Sequence, residues 1–198
     1  MDDPTRVRLE PWSAEDDGLL RALNAPELTD HLGGPETGEQ LARRHLRYVG
    51  MSAGAPDAGR MFRIVLLPEE VTAGSVGFWP RTWDDEPVYE TGWAVLPGFQ
   101  GRGVATAAAR AVIAEVSEVV KGAKVTEGAG DTEAAGARAT GLRRFLHAFP
   151  STDNAASNAV CRGAGFELRG ERDFAYPPGR PMRCNDWRFG LAGPDQGV

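Results

Sequence analysis

Apolar and polar residues alternate in several short runs along the chain, and each run predicts a β-strand with one buried face. In the first run, from Val7 to Trp12, apolar positions alternate with charged ones. The run from Met61 to Leu67 is almost wholly apolar and predicts a buried strand. The same criteria place the predicted strands at residues 7–12, 61–67, 74–79, 88–96, 145–149, 166–174 and 182–191.

Apolar residues at helical spacing predict helices between these strands. Ser13 precedes the first helix, over 14–23, and its hydroxyl is suited to cap it. A second helix is expected within 28–49, after a Gly-Gly-Pro break. A long helix is expected over 104–120 and a shorter one over 154–162.

The connecting segments have the composition of loops. Residues 50–60 are rich in Gly, Ala and Pro, and the PPGRP segment at 177–181 suits a hairpin loop. Residues 121–141 contain Gly, Ala, Thr and charged residues without an aromatic, which predicts a flexible insertion. A chain of 198 residues fits one domain, and strands with interspersed helices predict an α/β (α+β) fold with a mixed sheet.

Composition and charge exclude several classes of function. Hydrophobic residues make up 41% of the chain, but no segment has the apolar length of a membrane span. The first ten residues lack the apolar core of a secretory signal, so we expect a cytoplasmic protein. A net charge of −6 opposes binding to nucleic acid, which requires basic residues to neutralise phosphates. The acidic balance suits a cationic substrate.

The cysteines and histidines give no support to a metal site. Cys161 and Cys184 lie far apart in sequence and outside any CxxC spacing, so two reduced thiols are expected. His31, His45 and His147 are scattered and none belongs to an HExxH motif. We therefore expect no bound metal.

One motif predicts an anion-binding turn. Residues 92–109 read GWAVLPGFQGRGVATAAA, the order of a strand, a tight turn, a glycine run and an amphipathic helix. Gly101 and Gly103 lack a Cβ, so the backbone can turn sharply and present N–H groups at a helix N-terminus, where phosphate binds well. The motif is neither GxGxxG nor GxxxxGK[ST], and a glycine-rich helix start without a ligand is the alternative.

The same motif resembles the acetyl-CoA motif of the GNAT acetyltransferase superfamily, whose core pattern is Q/R-x-x-G-x-G/A. Gln100, Gly103 and Ala105 match that pattern. The resemblance implies a splayed, mixed sheet of about six to seven strands flanked by about four helices. The insertion at 121–141 departs from the family and lengthens a surface connection.

Further segments extend the resemblance over nearly the whole chain. Residues 154–166 resemble the superfamily's downstream motif, an Asn that opens a helix ending in a Gly-Phe turn, here Gly165 and Phe166. The segments GGPET at 33–37 and GRPMRCNDWRF at 179–189 are similar to those of the branch that includes ribosomal-protein N-terminal acetyltransferases.

The resemblance implies acetyl-CoA as the cofactor. Backbone amides of the glycine turn and the Thr106 hydroxyl would hold its pyrophosphate, and Arg102 would add attraction at the rim. The strand at Trp93 would pair with the pantetheine arm, and Asn154 would contact that arm or only cap its helix. The implied cofactor-binding residues are Trp93, Ala94, Val95, Gln100, Gly101, Arg102, Gly103, Val104, Ala105, Thr106 and Asn154.

Transfer of acetyl to an amine requires a base, because an alkylammonium with a pKa near ~10.4 is protonated at neutral pH. By resemblance Glu90 is that base; the alternative is a strand glutamate paired with an arginine. Many relatives use a Tyr to protonate the departing thiolate, but Cys161 stands at that position. Ser157 is the substitute proton donor, or its hydroxyl bonds the helix backbone. Cys161 is then a small buried hydrophobe or a poor proton donor.

The acceptor is less well defined by the sequence. The Trp-Asp-Asp-Glu segment at 83–86 is either an acidic, aromatic loop that attracts a cationic amine or a solvated loop. Trp79, Trp83 and Tyr176 either line an acceptor cleft or fill the core.

We expect direct acetyl transfer to a primary amine, either a protein N-terminus or a small cationic amine. The alternatives are a catalytically silent acyl-CoA-binding module and transfer of a longer acyl group. Edge strands near the C-terminus make a homodimer plausible.

Overall fold

Seven strands form one mixed sheet in a computed structural model that describes residues 5–127, 143–175, 179 and 181–191. The spatial order is β1-β2-β3-β4-β5-β7-β6. Among the described strands, β4 and β5 pair in parallel and all other neighbours are antiparallel. The strands are β1 Arg6–Pro11, β2 Arg60–Leu67, β3 Val71–Trp83, β4 Glu86–Val95, β5 Phe145–Ala148, β6 Glu167–Ala175 and β7 Pro181–Gly190. The predicted mixed sheet is confirmed.

The sheet opens between β4 and β5. Their parallel pairing covers only Tyr89 with Leu146 and Glu90 with His147. Beyond these pairs β4 continues to Val95, whereas β5 ends at Ala148. The last residues of β4 therefore have a strand neighbour on one side only, which is the predicted splay.

The described residues form five α-helices, and side chains cap the starts of α3, of α5 and of the 3-10 turn that precedes α1. The Ser13 hydroxyl accepts from the Glu15 N–H, just before α1, and the Thr37 hydroxyl accepts from the Gln40 N–H at the start of α3. Asn154 accepts from the Ser157 N–H at 3.0 Å and caps α5. The helices are α1 Asp17–Ala22, α2 Pro26–Thr29, α3 Gly38–Ala53, α4 Val104–Glu127 and α5 Ala155–Ala164.

Two predicted loop boundaries are wrong. The loop expected at 50–60 starts later, because α3 continues to Ala53. Tertiary contacts hold this last turn: the Ser52 hydroxyl donates to the Met61 carbonyl at 2.8 Å. The insertion expected at 121–141 also starts later, because α4 continues to Glu127 and good helix formers outweigh Gly122 there. The rest of that expected insertion lies outside the described residues.

The core lies between α4 and one face of the sheet. Five α4 residues at intervals of four are at most 3% exposed: Val104, Ala108, Val112, Val116 and Val120. They pack with strand residues in one hydrophobic cluster. A second cluster lies around α1 and α3, where Trp12, Leu20, Leu41 and Met61 are buried together. Packing against the sheet fixes α4, and the N-terminus of α4 comes after the short turn that follows the open end of β4.

Among the described helices, none combines the length and apolarity that crossing a membrane requires.

Candidate active site at the open end of β4

The glycine turn connects the end of β4 to α4 through a short segment. Pro97–Phe99 forms one 3-10 turn, and α4 begins at Val104. The Gln100 side-chain amide donates to the Val95 carbonyl at 3.0 Å and so holds the turn against the strand. Gly101 and Gly103 have φ values of +71° and +78°, which residues with a Cβ adopt at a cost.

The turn has the geometry of an anion site. A Cβ built on Gly101 would meet nothing within 4 Å, so that residue is a glycine for its backbone conformation. A Cβ on Gly103 would lie 3.2 Å from the Thr5 Oγ1. The first turn of α4 leaves N–H groups without intrahelical acceptors, and the helix dipole adds positive potential there. Val104 is 1% exposed, so its side chain is packed in the core and is not available to a ligand.

Arg102 is held on the outer side of this turn. Its guanidinium lies 2.8 Å from the Glu69 carboxylate and 5.8 Å from the Phe99 ring centroid. The Arg102 carbonyl accepts a hydrogen bond from the Thr5 hydroxyl. The Glu69 carboxylate therefore offsets part of the positive charge that Arg102 brings to the turn.

Thr106 lies where α4 meets α5. A Cβ built on Gly163 would come within 3.1 Å of the Thr106 Cγ2, so glycine permits this close approach. Arg110 donates to the Gly163 carbonyl at 2.6 Å and ties the helices together. Ala105, one residue earlier, packs against the main core.

The end of β4 presents backbone groups to the opening in the sheet. On its closed side, Trp93 pairs with Val76 and Ala94 with Ser75 of β3. A Cβ on Gly74 would lie only 2.1 Å from the Ala94 carbonyl oxygen, so that approach requires glycine. The other side of β4 faces the splay, because β5 has ended.

A cavity of about 350 Å³ occupies the splay. It lies between β4, the start of α5 and the segment from α1 to α3. The predicted site residues that line it are Glu90, Trp93, Ala94, Asn154 and Ser157, and Trp79 of the predicted cleft aromatics joins them. The turn residues 100–106 and Val95 are not part of this lining. The predicted residues therefore fall into two groups. One group lines the cavity, the other forms the glycine turn, and β4 connects the two.

Glu90 lines the cavity and is also paired with an arginine. Its carboxylate lies 2.5 Å from the Arg81 guanidinium, and its side chain is 15% exposed. The Arg81 guanidinium in turn lies 5.6 Å from the Trp83 ring centroid and 5.3 Å from that of Phe149. The carboxylate is therefore fixed in position at the cavity wall.

The Ser157 hydroxyl is available at the cavity. The Ser157 side chain lines the cavity, and its backbone N–H donates to Asn154 Oδ1 at 3.0 Å. The neighbouring Asn158 is buried and accepts from Asn185 at 2.7 Å and from Trp187 at 2.8 Å. Asn158 fixes α5, and with it Ser157, against β7.

Sequence reasoning missed the wall built by α1 to α3. Glu36 and Arg44 line the cavity and form an ion pair at 2.8 Å. His31 also lines it and lies 3.2 Å from the Asp153 carboxylate, across from the start of α5. These residues are distant in sequence from the glycine motif, and only the GGPET segment resemblance pointed to this region.

The acidic 83–86 segment lies elsewhere. Asp84 and Asp85 form the β3–β4 hairpin turn with φ values of +47° and +62°. Trp83 and Asp84 line a separate cavity of about 150 Å³ with His147 and Asp186. This segment is therefore not part of the cavity that holds Glu90. Tyr176 lies outside the described residues.

A buried polar network forms the floor of that smaller cavity. The Asp186 carboxylate lies 2.7 Å from His147 Nδ1 and accepts from the Trp83 indole at 3.0 Å. Burial alone would raise the pKa of Asp186, but the hydrogen bonds from His147 and Trp83 outweigh burial and lower it. The network joins β3, β5 and β7.

The two cysteines are free and buried. Burial raises the pKa of Cys161 to about 12, and burial raises that of Cys184 to about 11. Neither thiol lines the cavity, and Cys161 packs in the main core. Cys161 is thus a buried hydrophobe. Within the described ranges, no three His, Cys, Asp or Glu side chains are grouped to hold a metal ion.

Comparison with known proteins gives a family match. A family model described as acetyltransferase (GNAT) domain matches residues 6–167, which include β4, the glycine turn and α5. No curated protein sequence matches the chain.

Solved structures resemble the chain at low sequence identity. An acetyltransferase from Agrobacterium tumefaciens is 18% identical, with a TM-score of 0.66 over 96% of this chain and 95% of its own. RimL, a ribosomal-protein α-N-acetyltransferase in complex with coenzyme A, is 16% identical, with a TM-score of 0.66 over 93% of both chains. An aminoglycoside acetyltransferase in complex with coenzyme A is 16% identical, with a TM-score of 0.58 over 93% of this chain and 95% of its own. These likenesses show a shared fold.

Proposed function

The chain belongs to the GNAT acetyltransferase family, and from this premise we propose that it transfers an acetyl group from acetyl-CoA directly to a primary amine. The observation that carries the proposal is the splay between β4 and β5. There, one strand leads from a cavity with a carboxylate and a hydroxyl to a glycine turn suited to a pyrophosphate.

The residues present fit acetyl-CoA. The backbone N–H groups of Gln100 to Ala105 would hold the pyrophosphate together with the Thr106 hydroxyl. Charge-assisted hydrogen bonds of this kind contribute roughly 1.5–3 kcal/mol each, so a few of them can anchor a doubly charged group. The free side of β4 at Trp93 to Val95 would pair with the pantetheine arm. The complexes of RimL and of the aminoglycoside enzyme with coenzyme A support this assignment.

Glu90 accepts the proton that the ammonium must lose before it can attack. When bound, acetyl-CoA would supply a thioester. The amine nitrogen would bond to its carbonyl carbon, and the carbon–sulfur bond would break. Ser157 donates its hydroxyl proton to the departing sulfur, and the second proton that the nitrogen loses as the amide forms restores the Ser157 hydroxyl through water. Arg81 orients the Glu90 carboxylate through their ion pair at 2.5 Å. These roles require both side chains at the cavity, where they lie.

A catalytically silent acyl-CoA-binding module is the second candidate. The specific observation in its favour is Cys161, which stands where many relatives carry a Tyr and is fully buried. Such a module would bind acetyl-CoA without transfer.

A coupled assay tests the proposal. Thiol release from acetyl-CoA is measured with a panel of primary amines, and the amine products are weighed by mass spectrometry. We expect one thiol released for each acetylated amine. Binding of acetyl-CoA without any acetylated product would favour the silent module, and absence of binding would contradict both candidates.

A further inference from the structure

The buried polar network beneath the smaller cavity lies on the same face of the sheet as Glu90. Glu90 and His147 are direct neighbours in the parallel pairing of β4 with β5, so their side chains leave the sheet on one face. Arg81 and Trp83 are two positions apart on β3 and also share a face, and Arg81 contacts Glu90 there. Asp186 of β7 joins this group, because it contacts both His147 and Trp83.

The Asp186 carboxylate fixes two rings of this group. It accepts from the Trp83 indole N–H at 3.0 Å and lies 2.7 Å from His147 Nδ1. Because an ionised carboxylate can only accept, Nδ1 carries the hydrogen of the second bond. The side chains of Asp186 and His147 are only 3% and 6% exposed. Hydrogen bonds to a charged group are strong in such surroundings, so both rings have defined orientations.

These two rings pack against a third. The Phe149 ring stacks on His147, with centroids 5.6 Å apart and an interplanar angle of 22°. The Phe149 centroid also lies 4.5 Å from that of Trp83. Phe149 is 9% exposed and belongs to the lining of the larger cavity. The rings that contact Asp186 therefore extend, through Phe149, to the wall of the cavity that holds Glu90.

Arg81 lies against the same rings. Its guanidinium carbon is 5.6 Å from the Trp83 centroid and 5.3 Å from that of Phe149, which is within the range of cation–π attraction. The same guanidinium reaches the Glu90 carboxylate at 2.5 Å. A free arginine side chain samples many rotamers, and contact with fixed rings restricts them. The orientation of Glu90 therefore depends on rings that Asp186 holds in place.

From these contacts we propose that Asp186 and Trp83 are positioning residues for Glu90. The Asp186 carboxylate holds the Trp83 indole, the Trp83 ring holds Arg81, and Arg81 orients the Glu90 carboxylate toward the amine. This inference rests on the proposed amine acetylation, in which Glu90 is the base. Asp186 and Trp83 line the smaller cavity, so they act through Arg81 without touching the amine.

Trp83→Phe tests the step between Asp186 and Arg81. This substitution keeps an aromatic ring and removes the indole N–H that Asp186 accepts. We expect kcat/KM at pH 7 to fall about tenfold, because a displaced base still works, but less well than one in position. The loss should shrink as the pH rises toward ~10.4, where an alkylamine loses its proton without help. A loss of equal size at every pH would overturn the positioning role.

Trp12→Phe is the matched control. Trp12 is 2% exposed, and its indole donates to His45 Nδ1 at 3.2 Å in the cluster around α1 and α3. The control thus removes a buried indole N–H at a site without a contact to Arg81 among the described residues. It should leave kcat/KM within about twofold of the wild type. Equal losses in Trp12→Phe and Trp83→Phe would show a general effect of losing a buried indole and would overturn the inference.

A double-mutant cycle shows whether Trp83 acts through Glu90. If it does, Trp83→Phe causes no further loss of kcat/KM in protein that already carries Glu90→Gln. Asp186→Asn weakens the same link from its other end and should show the same non-additivity. Additive losses would overturn the inference. Thermal unfolding of each variant shows that it is folded at the assay temperature before it is compared.

NMR of the Arg81 side chain gives a readout that does not depend on turnover. Exchange of its Nε–H with water reports how firmly the guanidinium is held, and Arg81→Lys identifies the signal by its loss. We expect Trp83→Phe and Asp186→Asn to raise the exchange rate at least about threefold, and Trp12→Phe to leave it unchanged. Faster exchange in the first two variants, with no acetylation by the wild type, would refute the proposed function and support the link to Arg81. Unchanged exchange in a wild type and variants that acetylate amines would overturn this inference alone.

Discussion

The Glu90 carboxylate lies 2.5 Å from the Arg81 guanidinium on the neighbouring strand, at the wall of the cavity between β4 and β5. The two residues are diagonal partners, because Glu90 pairs with Trp79 and Arg81 pairs with Val88. The ion pair orients the carboxylate, and it also sets a positive charge against any ammonium that approaches. In the proposed reaction, Glu90 and Arg81 would therefore act together on the incoming amine.

Glu90→Gln should lower kcat/KM about a hundredfold at pH 7, the usual scale for loss of a general base. The defect should shrink as the pH rises toward ~10.4, because an alkylamine then loses its proton to water without help. The measurement is a pH profile of acetylation from pH 6 to 10 for the wild type and the variant.

Glu10→Gln is the matched control for this profile. Glu10 is also a strand glutamate paired with an arginine, Arg63, but it lies on the edge strand β1, whereas Glu90 lies on the central strand β4. The Glu10→Gln substitution should leave the pH profile of acetylation unchanged. A Glu90→Gln defect of constant size across the pH range would show that Glu90 has only a structural role.

Ser157→Ala should lower kcat at least about tenfold with little change in KM for acetyl-CoA, because in the proposed reaction the hydroxyl protonates the departing sulfur. Cys161→Ala on the same helix should leave kcat unchanged, since that thiol is buried in the core and its raised pKa, about 12, disfavours proton release. Steady-state kinetics of both variants checks this contrast. A larger loss of kcat in Cys161→Ala than in Ser157→Ala would reverse the assignment.

Asp186→Asn should lower the free energy of unfolding by about 2–3 kcal/mol at pH 7, because it weakens two hydrogen bonds to a buried carboxylate. The folded-state pKa of Asp186 is lowered, so its contribution is fully present above the unfolded-state value and is lost as the pH falls through the folded-state value. Urea unfolding at several pH values should therefore show the gap to the wild type closing below about pH 4.

Asp173→Asn provides the comparison for Asp186→Asn. Asp173 lies on the same hairpin and pairs with Arg183, but its side chain is 89% exposed. The urea concentration at the midpoint of unfolding should be the same for this variant as for the wild type. A gap for Asp186→Asn that stays constant down to pH 2 would contradict the lowered pKa.

The elements that local pattern defines were predictable from the sequence. The strand, glycine turn and helix from Gly92 to Val120 lie close together in the chain, so turn chemistry and apolar spacing identify them directly. The splay followed only from the family resemblance, and the strand order was not predicted. The end of α3 was missed because the contact of Ser52 with Met61 overrides local composition, and that of α4 was missed because good helix formers outweigh Gly122.

The cavity wall was harder to predict, because it joins distant segments. Glu36 and Arg44 lie on α3 and the segment before it, and nothing local relates them to Glu90. The ion pair of Arg81 with Glu90 could have been predicted from the sequence. A two-residue turn at Asp84 and Asp85 fixes the hairpin register and places Arg81 diagonally to Glu90. The placement of residues 83–86 away from the cavity follows from the same register.

The affinity for coenzyme A tests whether the glycine turn binds the pyrophosphate, as the proposed function requires. Gly103→Ala forces a residue with a Cβ to a φ of +78° and sets that atom 3.2 Å from Thr5, so the turn should shift and its N–H groups lose alignment. Gly98→Ala is the control, because its Cβ meets nothing within 4 Å and its φ is not positive. Pantetheine, which lacks the pyrophosphate, is the comparison ligand.

The decisive measurement is calorimetric titration of the wild type, Gly103→Ala and Gly98→Ala with coenzyme A and with pantetheine. We predict that Gly103→Ala weakens coenzyme A binding at least about tenfold, or about 1.4 kcal/mol, and leaves pantetheine binding and the Gly98→Ala variant unaffected. Equal affinities of all three proteins for coenzyme A, or no binding by the wild type, would contradict the account.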